Sequence, residues 1–219
     1  MKVYILGGAR TPFATWSSGT DGSGAKGGRL KDLDHFDLGA AALKGALAAS
    51  GIASASVDKV VFGNSYHVGS HSCYGGRYVG HRAGLPDSVP GLAVCLACGS
   101  GLYAMMVAAQ ELRLGTAGVV AAAGADAPSI IRRAVLVPSF TDLSAGEPIS
   151  AGAHRLALEY GFDRSAQDRW ALLSHTRAKA ARKSGLFDSE IVPVSGLDFD
   201  DAVLSNPEPG HFSSSEALY

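Results

Sequence analysis

Apolar and polar positions along the first 124 residues follow two alternating periods, which predict a regular succession of strands and helices. Short apolar runs predict strands at residues 3–6, 57–62, 89–97 and 119–124. Apolar residues at three- and four-residue intervals predict helices over 37–50, over 76–83 and from 102 to the stop at Gly115. This βαβαβαβ order predicts a layered α/β domain, in which a mixed sheet is covered by helices.

Beyond residue 127 the pattern changes. Two adjacent arginines, two prolines and nearby glycines predict an irregular excursion, which is followed by helices over 151–160 and 165–184. Asp163 is the expected N-terminal cap of the second of these helices, and Gly185 is its expected end. We therefore divide the chain into a core domain, residues 1–127, and an appended, mostly helical domain, residues 128–219.

The composition narrows the classes of partner. The 219 residues are 18% charged with a formal net charge of -1, and their basic residues are scattered, which argues against nucleic acid and anionic membranes as partners. Apolar runs all stay well short of the roughly 18–20 residues of a membrane span. Three cysteines cannot all pair, and the chain opens on a strand-like run rather than on signal-peptide features, so we expect a cytoplasmic protein.

The glycine-rich stretch 17–28 contains Lys26, and this combination raises the alternative of a phosphate-binding loop. A P-loop needs a Gly-Lys-Ser/Thr element after a strong strand, and the stretch has neither. We therefore interpret it as a surface loop.

Cys98 is the candidate nucleophile because it falls at a predicted strand-to-helix turn. Backbone N–H groups and the positive end of a helix stabilise a thiolate, and Gly99 lets a substrate carbonyl approach the backbone closely. The alternative is structural, since cysteine is among the most buried residue types and packs well inside an apolar strand. Cys95, placed inside the predicted strand, fits that structural alternative better.

Metal and redox sites are further alternatives. The Cys95-x-x-Cys98 spacing is found in zinc and thioredoxin-like sites, but a zinc ribbon needs a second such pair and a redox pair starts a helix. His67, His71 and Cys73 are crowded in one irregular loop, where exposed side chains are commoner than ligands. We expect no metal site.

Several collinear segments carry a family resemblance. They are Cys98-Gly99-Ser100-Gly101-Leu102, Ala9-Arg10-Thr11-Pro12 after the first strand, Asp37-Leu38-Gly39, residues 57–64 ending in Phe62-Gly63-Asn64, Ala83-Gly84-Leu85-Pro86, Ser174-His175, Gly185-Leu186-Phe187 and residues 190–194. Together they resemble the N-terminal half and the loop domain of the thiolase family, which includes acetyl-CoA acetyltransferases and 3-ketoacyl-CoA thiolases. The resemblance implies acyl transfer through a Cys98 thioester, with coenzyme A and acyl-CoA as substrates, no permanently bound cofactor and a role in lipid metabolism.

Two departures from the family pattern accompany the resemblance. Stretch 17–28 is longer than thiolases usually have there. Pro148-Ile149-Ser150 stands where many thiolases carry a histidine-methionine-glycine stretch, so we expect a preference for an acyl group larger than acetoacetyl, or branched.

The family's second half supplies a Gly-His-Pro histidine, a Cys-x-Gly cysteine and an Asn-Glu-Ala-Phe-like motif, and none is matched here. Gly210-His211-Phe212 lacks the proline and the continuation of the first motif, and we expect His175 to be structural. Thiolases are about twice as long, so we expect the nucleophile-bearing subunit of a two-chain thiolase. Its partners would be a second chain with the C-terminal half and another nucleophile half across a two-fold axis. A fragment of a longer thiolase, a non-enzymatic scaffold and a ketosynthase-like relative remain alternatives.

Overall fold

The computed structural model describes residues 2–15, 28–204 and 207–208. Lys26 and almost all of the glycine-rich stretch lie outside the described residues, as does His211. The core of the described part is a parallel three-stranded sheet of order β2-β1-β3, formed by β1 (Lys59–Gly63), β2 (Gly91–Val94) and β3 (Val120–Gly124). In its register Val61 of the central strand lies opposite Leu92 and Ala122.

Helices cover both faces of this sheet. The helices α1 (His35–Ser50) and α2 (Gly75–Arg82) pack on one face, and α3 (Ser100–Leu114) packs on the other. Because side chains alternate along a strand, Val60 and Phe62 of β1 join the first core cluster, whereas Val61 joins the second. The predicted layered α/β architecture is confirmed.

The start of α1 differs from the prediction by two residues. The Asp34 carboxylate accepts from the Asp37 N–H at 2.7 Å and the Asp37 carboxylate accepts from the Asp34 N–H at 3.2 Å, so the two form a capping box. The helix therefore begins at His35, with Asp37 inside its first turn. Gly51, at φ 66°, ends the helix as predicted.

The packing face of α3 is formed by small residues. Ala104 and Ala108 are buried against Val61, whereas the large apolar residues that reveal the helical period in the sequence, Leu102 and Met106, are 72% and 58% exposed. Alanines allow the helix axis to lie close to the sheet. The large side chains thus form an outward apolar face.

The strand predicted at residues 3–6 does not join the described sheet, and that prediction was wrong. Tyr4, Ile5 and Leu6 are exposed, and the first backbone pairing of this segment is the bridge between Arg10 and Ile191. A strand requires a neighbouring edge to pair with, and residues 3–6 pair with neither edge strand of the described sheet, β2 or β3.

The segment after β3 contains short elements followed by two longer helices. In chain order they are α4 (Arg133–Leu136), the two-residue strands β4 (Thr141–Asp142) and β5 (Glu147–Pro148), α5 (Ile149–Glu159) and α6 (Arg164–Lys183). Asp163 caps α6 as predicted, because its carboxylate accepts from the Ala166 N–H at 2.7 Å. Within the described ranges, no helix is both long and apolar enough to cross a membrane.

Candidate active site

The turn between β2 and α3 carries Cys98. Strand β2 ends at Val94, so Cys95 lies outside the strand and is exposed, which corrects the predicted strand 89–97 and the expected burial of Cys95. Cys98 itself is exposed and directly precedes Gly99, the N-cap residue of α3. In the described structure Cys98 is therefore not buried, and it lies at the positive end of a 15-residue helix.

The turn is held in a strained conformation. Ala97 has φ 44°, a left-handed value that costs a residue with a side chain about 1–2 kcal/mol. The buried Ser100 hydroxyl stabilises it by accepting from the Leu96 N–H at 2.9 Å and donating to the Ala97 carbonyl oxygen at 2.6 Å. Cys98 is thus presented by a backbone that the first residue of α3 fixes.

Glycine at the end of β1 allows the sheet to meet α3 at this point. A Cβ at Gly63 would lie 2.4 Å from the Ser100 carbonyl oxygen and 3.0 Å from the Gly101 nitrogen. Both are backbone atoms, which cannot move aside as a flexible side chain could. Gly63 is therefore required for the close approach that brings the nucleophile turn over the carboxyl end of the sheet.

The carboxyl ends of the strands meet at a switch in chain direction. The chain leaves β1 towards α2 on one face and leaves the neighbouring β2 towards α3 on the other. Ligands of open α/β sheets bind at such a point, outside the carboxyl ends of the strands. Cys98 lies here, lining a cavity of about 1070 Å³ together with Ser65, Met105 and Asp126.

Asp126, which follows β3, organises the loop after β1. One oxygen of its carboxylate accepts from the Asn64 side-chain amide at 2.8 Å, from the Ser65 N–H at 3.0 Å and from the Tyr66 N–H at 3.3 Å. The Asn64 amide also donates to the Ala125 carbonyl oxygen at 2.8 Å. These bonds fix residues 64–66 relative to the sheet.

The irregular segment that follows β3 covers part of the cavity. The hydroxyls of Tyr66 and Ser139 are hydrogen-bonded at 2.8 Å, and the Ser139 hydroxyl also donates to the Leu136 carbonyl oxygen at 2.6 Å. Phe140 and Ile149 also line the cavity. Apolar side chains from this segment thus line the same cavity as Cys98.

The remaining candidate residues do not gather around Cys98. Across the part of the chain that the structure describes, no group of three or more His, Cys, Asp or Glu side chains could hold a metal ion. His67 and Cys73 are exposed on the loop before α2. His175 lines a second cavity, of about 370 Å³, and its Nδ1 accepts from the Leu204 N–H at 3.2 Å.

Arg10 forms one wall of that second cavity and ties the N-terminal segment to residues 190–200. Its guanidinium bonds the Asp200 carboxylate at 2.7 and 2.9 Å and the Glu190 carboxylate at 2.7 Å. Hydrogen bonding to Asp200 raises the pKa of Arg10. Burial acts to raise the pKa of Asp200, but the bonds from Arg10 and from the Phe13 N–H outweigh it, so this pKa is lowered.

Sequence reasoning missed Ser65 and Asp126 as members of the site. Each lies two residues beyond the end of a strand, and polar residues after parallel strands converge on one edge of the sheet. That position was the available signal.

Comparisons with known proteins agree with this architecture. Residues 3–130 and 125–216 match the family described as thiolase, N-terminal domain. The mitochondrial 3-ketoacyl-CoA thiolase of Pongo abelii is 33% identical over 210 residues, which are 88% of this chain and 50% of that protein. The beta-ketothiolase BktB of Cupriavidus necator is 34% identical over 212 residues, 88% of this chain and 51% of that protein.

Solved structures give the same result. The crystal structure of human mitochondrial 3-ketoacyl-CoA thiolase in complex with CoA aligns with a TM-score of 0.85 and 28% identity, covering 96% of this chain and 56% of that one. The chain therefore spans about half the length of the relatives that it matches. The resemblance and the fold expected from it are confirmed, and the chain belongs to the thiolase family, whose N-terminal domain it carries.

Proposed function

We propose that this chain supplies the nucleophile of a thiolase. The Cys98 thiolate attacks the 3-keto carbonyl of a 3-ketoacyl-CoA, and the bond between C2 and C3 breaks. The acyl group stays on Cys98 as a thioester, and acetyl-CoA leaves once its C2 carbanion takes up a proton. The thiol of a second coenzyme A then attacks the thioester and releases the shortened acyl-CoA, and the reverse sequence is a condensation.

The observation that carries the proposal is the position of Cys98. It is exposed, immediately precedes the N-cap of α3 and lines the cavity at the carboxyl edge of the sheet. The first turn of a helix leaves N–H groups without intrahelical partners, and these stabilise both the thiolate and the oxyanion that forms when a carbonyl is attacked. Thiolase relatives of known activity support acyl transfer as the reaction class.

The proposal includes a second polypeptide that carries the family's C-terminal half. It is supported by the outward face of α3, where Leu102, Met105, Met106 and Leu114 are all exposed. An apolar face on the helix that begins beside the nucleophile is suited to burial against a second α/β lobe. In the proposal this lobe supplies the base that removes the substrate proton and completes the oxyanion site.

A second copy of the chain is the other proposed partner. Strand β2 lies at one end of the described sheet, and its Leu92 is exposed. An unpaired strand edge is a template for another strand. We propose that two nucleophile halves pair through this edge within a hetero-oligomer.

The acyl group is proposed to be larger than acetoacetyl, or branched. Phe140 and Ile149 line the cavity beside Cys98, and Ile149 lies in the stretch where many thiolases have histidine and methionine. An aliphatic and an aromatic side chain provide apolar contact for added methylene groups.

The test of the function is acyl-enzyme trapping. The chain is co-expressed with a candidate second chain that carries Gly-His-Pro and Cys-x-Gly, purified by size exclusion and incubated with 3-ketoacyl-CoA. We expect peptide mapping to find the acyl adduct on Cys98, and we expect thiolysis only in the complex of the two chains. The Cys98→Ala variant should show no adduct and no thiolysis. Adduct on Cys95 or Cys73 would overturn the assignment of the nucleophile, and turnover by this chain alone would overturn the two-chain arrangement.

A further inference from the structure

The carbonyl group of Ala97 is the most heavily bonded group of the nucleophile turn. Its oxygen accepts from the Ser100 N–H at 3.0 Å, from the Ser100 hydroxyl at 2.6 Å and from the Ser65 hydroxyl at 2.8 Å. This carbonyl belongs to the peptide unit that also contains the N–H of Cys98. The orientation of that peptide plane therefore sets the direction in which the backbone presents Cys98.

The two donor residues, Ser65 and Ser100, lie in different parts of the chain. Ser100 belongs to α3, only three residues after Ala97, and moves with the turn. Ser65 lies 32 residues earlier in the chain, in the loop after β1. The hydrogen bond donated by its hydroxyl thus ties the peptide plane before Cys98 to the loop after the neighbouring strand, β1.

Ser65 is itself held in place. Its N–H donates to the Asp126 carboxylate, which also accepts from the side-chain amide of Asn64 and from the backbone N–H of Tyr66. Asn64 is buried. The Cys95 thiol lies 3.8 Å from the Ser65 carbonyl oxygen, on the other side of the same contact. The hydroxyl of Ser65 therefore projects from a fixed loop and can resist movement of the turn.

We propose that Ser65 is a positioning residue for Cys98. The Ser65 hydroxyl holds the peptide unit between Ala97 and Cys98 against the relaxation that the left-handed backbone of Ala97 favours. It keeps the thiol in line with the N-terminus of α3 without touching the substrate. This inference rests on the proposed function for the role of Cys98 as the acyl carrier.

The experiment compares variants at Ser65 by two readouts. Ser65→Ala removes the donor, and the isosteric pair Ser65→Thr and Ser65→Val separates loss of the hydroxyl from a change in volume. Ser184→Ala is the matched control, because the Ser184 hydroxyl also donates to a backbone carbonyl, that of Ala181, at 2.9 Å. The first readout is the rate of iodoacetamide alkylation at Cys98 in the 219-residue chain, with Cys73 in the same molecule as reference.

The second readout is thiolysis by the assembled complex. Loss of one hydrogen bond predicts that Ser65→Ala and Ser65→Val lower the ratio of the Cys98 rate to the Cys73 rate about fivefold. They are expected to lower kcat by a similar factor at unchanged KM. Ser65→Thr is expected to stay within about twofold of the parent chain. The two Ser100 bonds to Ala97 remain in all variants, so the thermal midpoint should fall by no more than about 2–4 °C.

Each outcome bears on the inference. An unchanged labelling ratio in Ser65→Ala, or a loss in Ser65→Thr equal to that in Ser65→Val, would overturn it. A drop in Ser184→Ala of the same size would also overturn it. Absence of thiolysis by the parent complex would contradict the proposed function instead. The ratio of the Cys98 and Cys73 alkylation rates would still decide whether Ser65 positions Cys98.

Discussion

Arg10 and Asp200 form a two-pronged ion pair across 190 residues of chain, with Nη1 and Nη2 of the guanidinium 2.7 and 2.9 Å from the two carboxylate oxygens. Asp200 is buried, and the same carboxylate accepts from the Phe13 N–H at 2.7 Å. One side chain thereby holds two backbone segments together near the second cavity.

Asp200→Asn is expected to lower the free energy of unfolding by about 2–3 kcal/mol, because it replaces the buried carboxylate with an uncharged amide and leaves Glu190 as the charged partner of Arg10. The folded-state pKa of Asp200 is lowered, so its contribution is present above the unfolded pKa of about 4 and is lost as the pH falls through the folded value. Urea unfolding at pH 7 and pH 3 measures both effects. Asp32→Asn, at an exposed pair of 3.7 Å, is the control and should change stability by under about 0.5 kcal/mol. Equal losses in both variants would contradict the assignment.

The buried ring of His35 is expected to make stability depend on pH. Burial, chiefly, lowers the pKa of His35, Arg82 and His67 add to the lowering, and Asp34 and Asp126 oppose it. Below about pH 6.5 the unfolded chain then binds a proton that the folded chain does not, so stability falls as the pH falls towards the folded pKa.

His35→Phe keeps an aromatic ring next to Phe36, whose centroid is 4.0 Å away, and removes a buried Nε2 that has no hydrogen-bond partner. We expect it to reduce the slope of unfolding free energy against pH by up to about 1.4 kcal/mol per pH unit below pH 6.5. Urea titrations between pH 5 and pH 8 give the slope. The exposed His154→Gln should keep the parent slope, and an unaltered slope in His35→Phe would show that His35 does not carry the effect.

Gly63→Ala is expected to cost about 2–3 kcal/mol and to slow alkylation of Cys98, since its Cβ would overlap the Ser100 backbone at 2.4 Å. Gly101→Ala in the first turn of α3 meets no heavy atom within 4 Å and should be neutral or slightly stabilising in this chain. Thermal unfolding and cysteine labelling of both variants provide the comparison. A neutral Gly63→Ala would mean that the sheet and α3 can separate without loss.

Leu102→Lys, on the outward face of α3, should weaken association with the proposed second lobe at least tenfold, because it buries a charge in an apolar contact. The residue is 72% exposed, so unfolding of the chain itself should change by less than about 0.5 kcal/mol. Size exclusion of the co-expressed pair and urea unfolding of the single chain measure the two quantities. Leu143→Lys, at a 93% exposed position, should change neither. Undiminished association in Leu102→Lys would remove α3 from the interface.

The acyl preference is tested by the kcat/KM of the assembled complex across a series of 3-ketoacyl-CoA substrates. We expect a maximum beyond the acetoacetyl substrate, with each fitting methylene adding about 1–3 kcal/mol of discrimination. Ile149→His should shift the series towards the short substrate, since it replaces apolar surface in the cavity with a polar ring. A parent optimum at acetoacetyl-CoA would contradict the preference.

Local features could be predicted because neighbouring residues determine them. Asp163 caps α6, Gly51 and Gly115 end their helices in left-handed conformations, and Cys98 falls at the strand-to-helix turn, all as the sequence indicated. Each depends on hydrogen bonds or backbone preferences within about four residues. The assignment of Cys98 as the nucleophile stays a prediction.

Contacts between distant residues needed the tertiary structure. The apolar period of α3 predicted a helix but not which face packs, because Ala104 and Ala108 fit against Val61 whereas the larger Leu102 points outward. Residues 3–6 have the composition of a strand and yet lie outside the described sheet, since pairing depends on a neighbouring edge that local sequence does not report. Ser65 reaches Ala97 only because parallel strands bring their carboxyl ends together. The sequence by itself therefore determined most of the helices and strands, the caps at Asp163, Gly51 and Gly115 and the candidate nucleophile, and the tertiary structure decided which segments pair, which faces pack and which distant polar groups support Cys98.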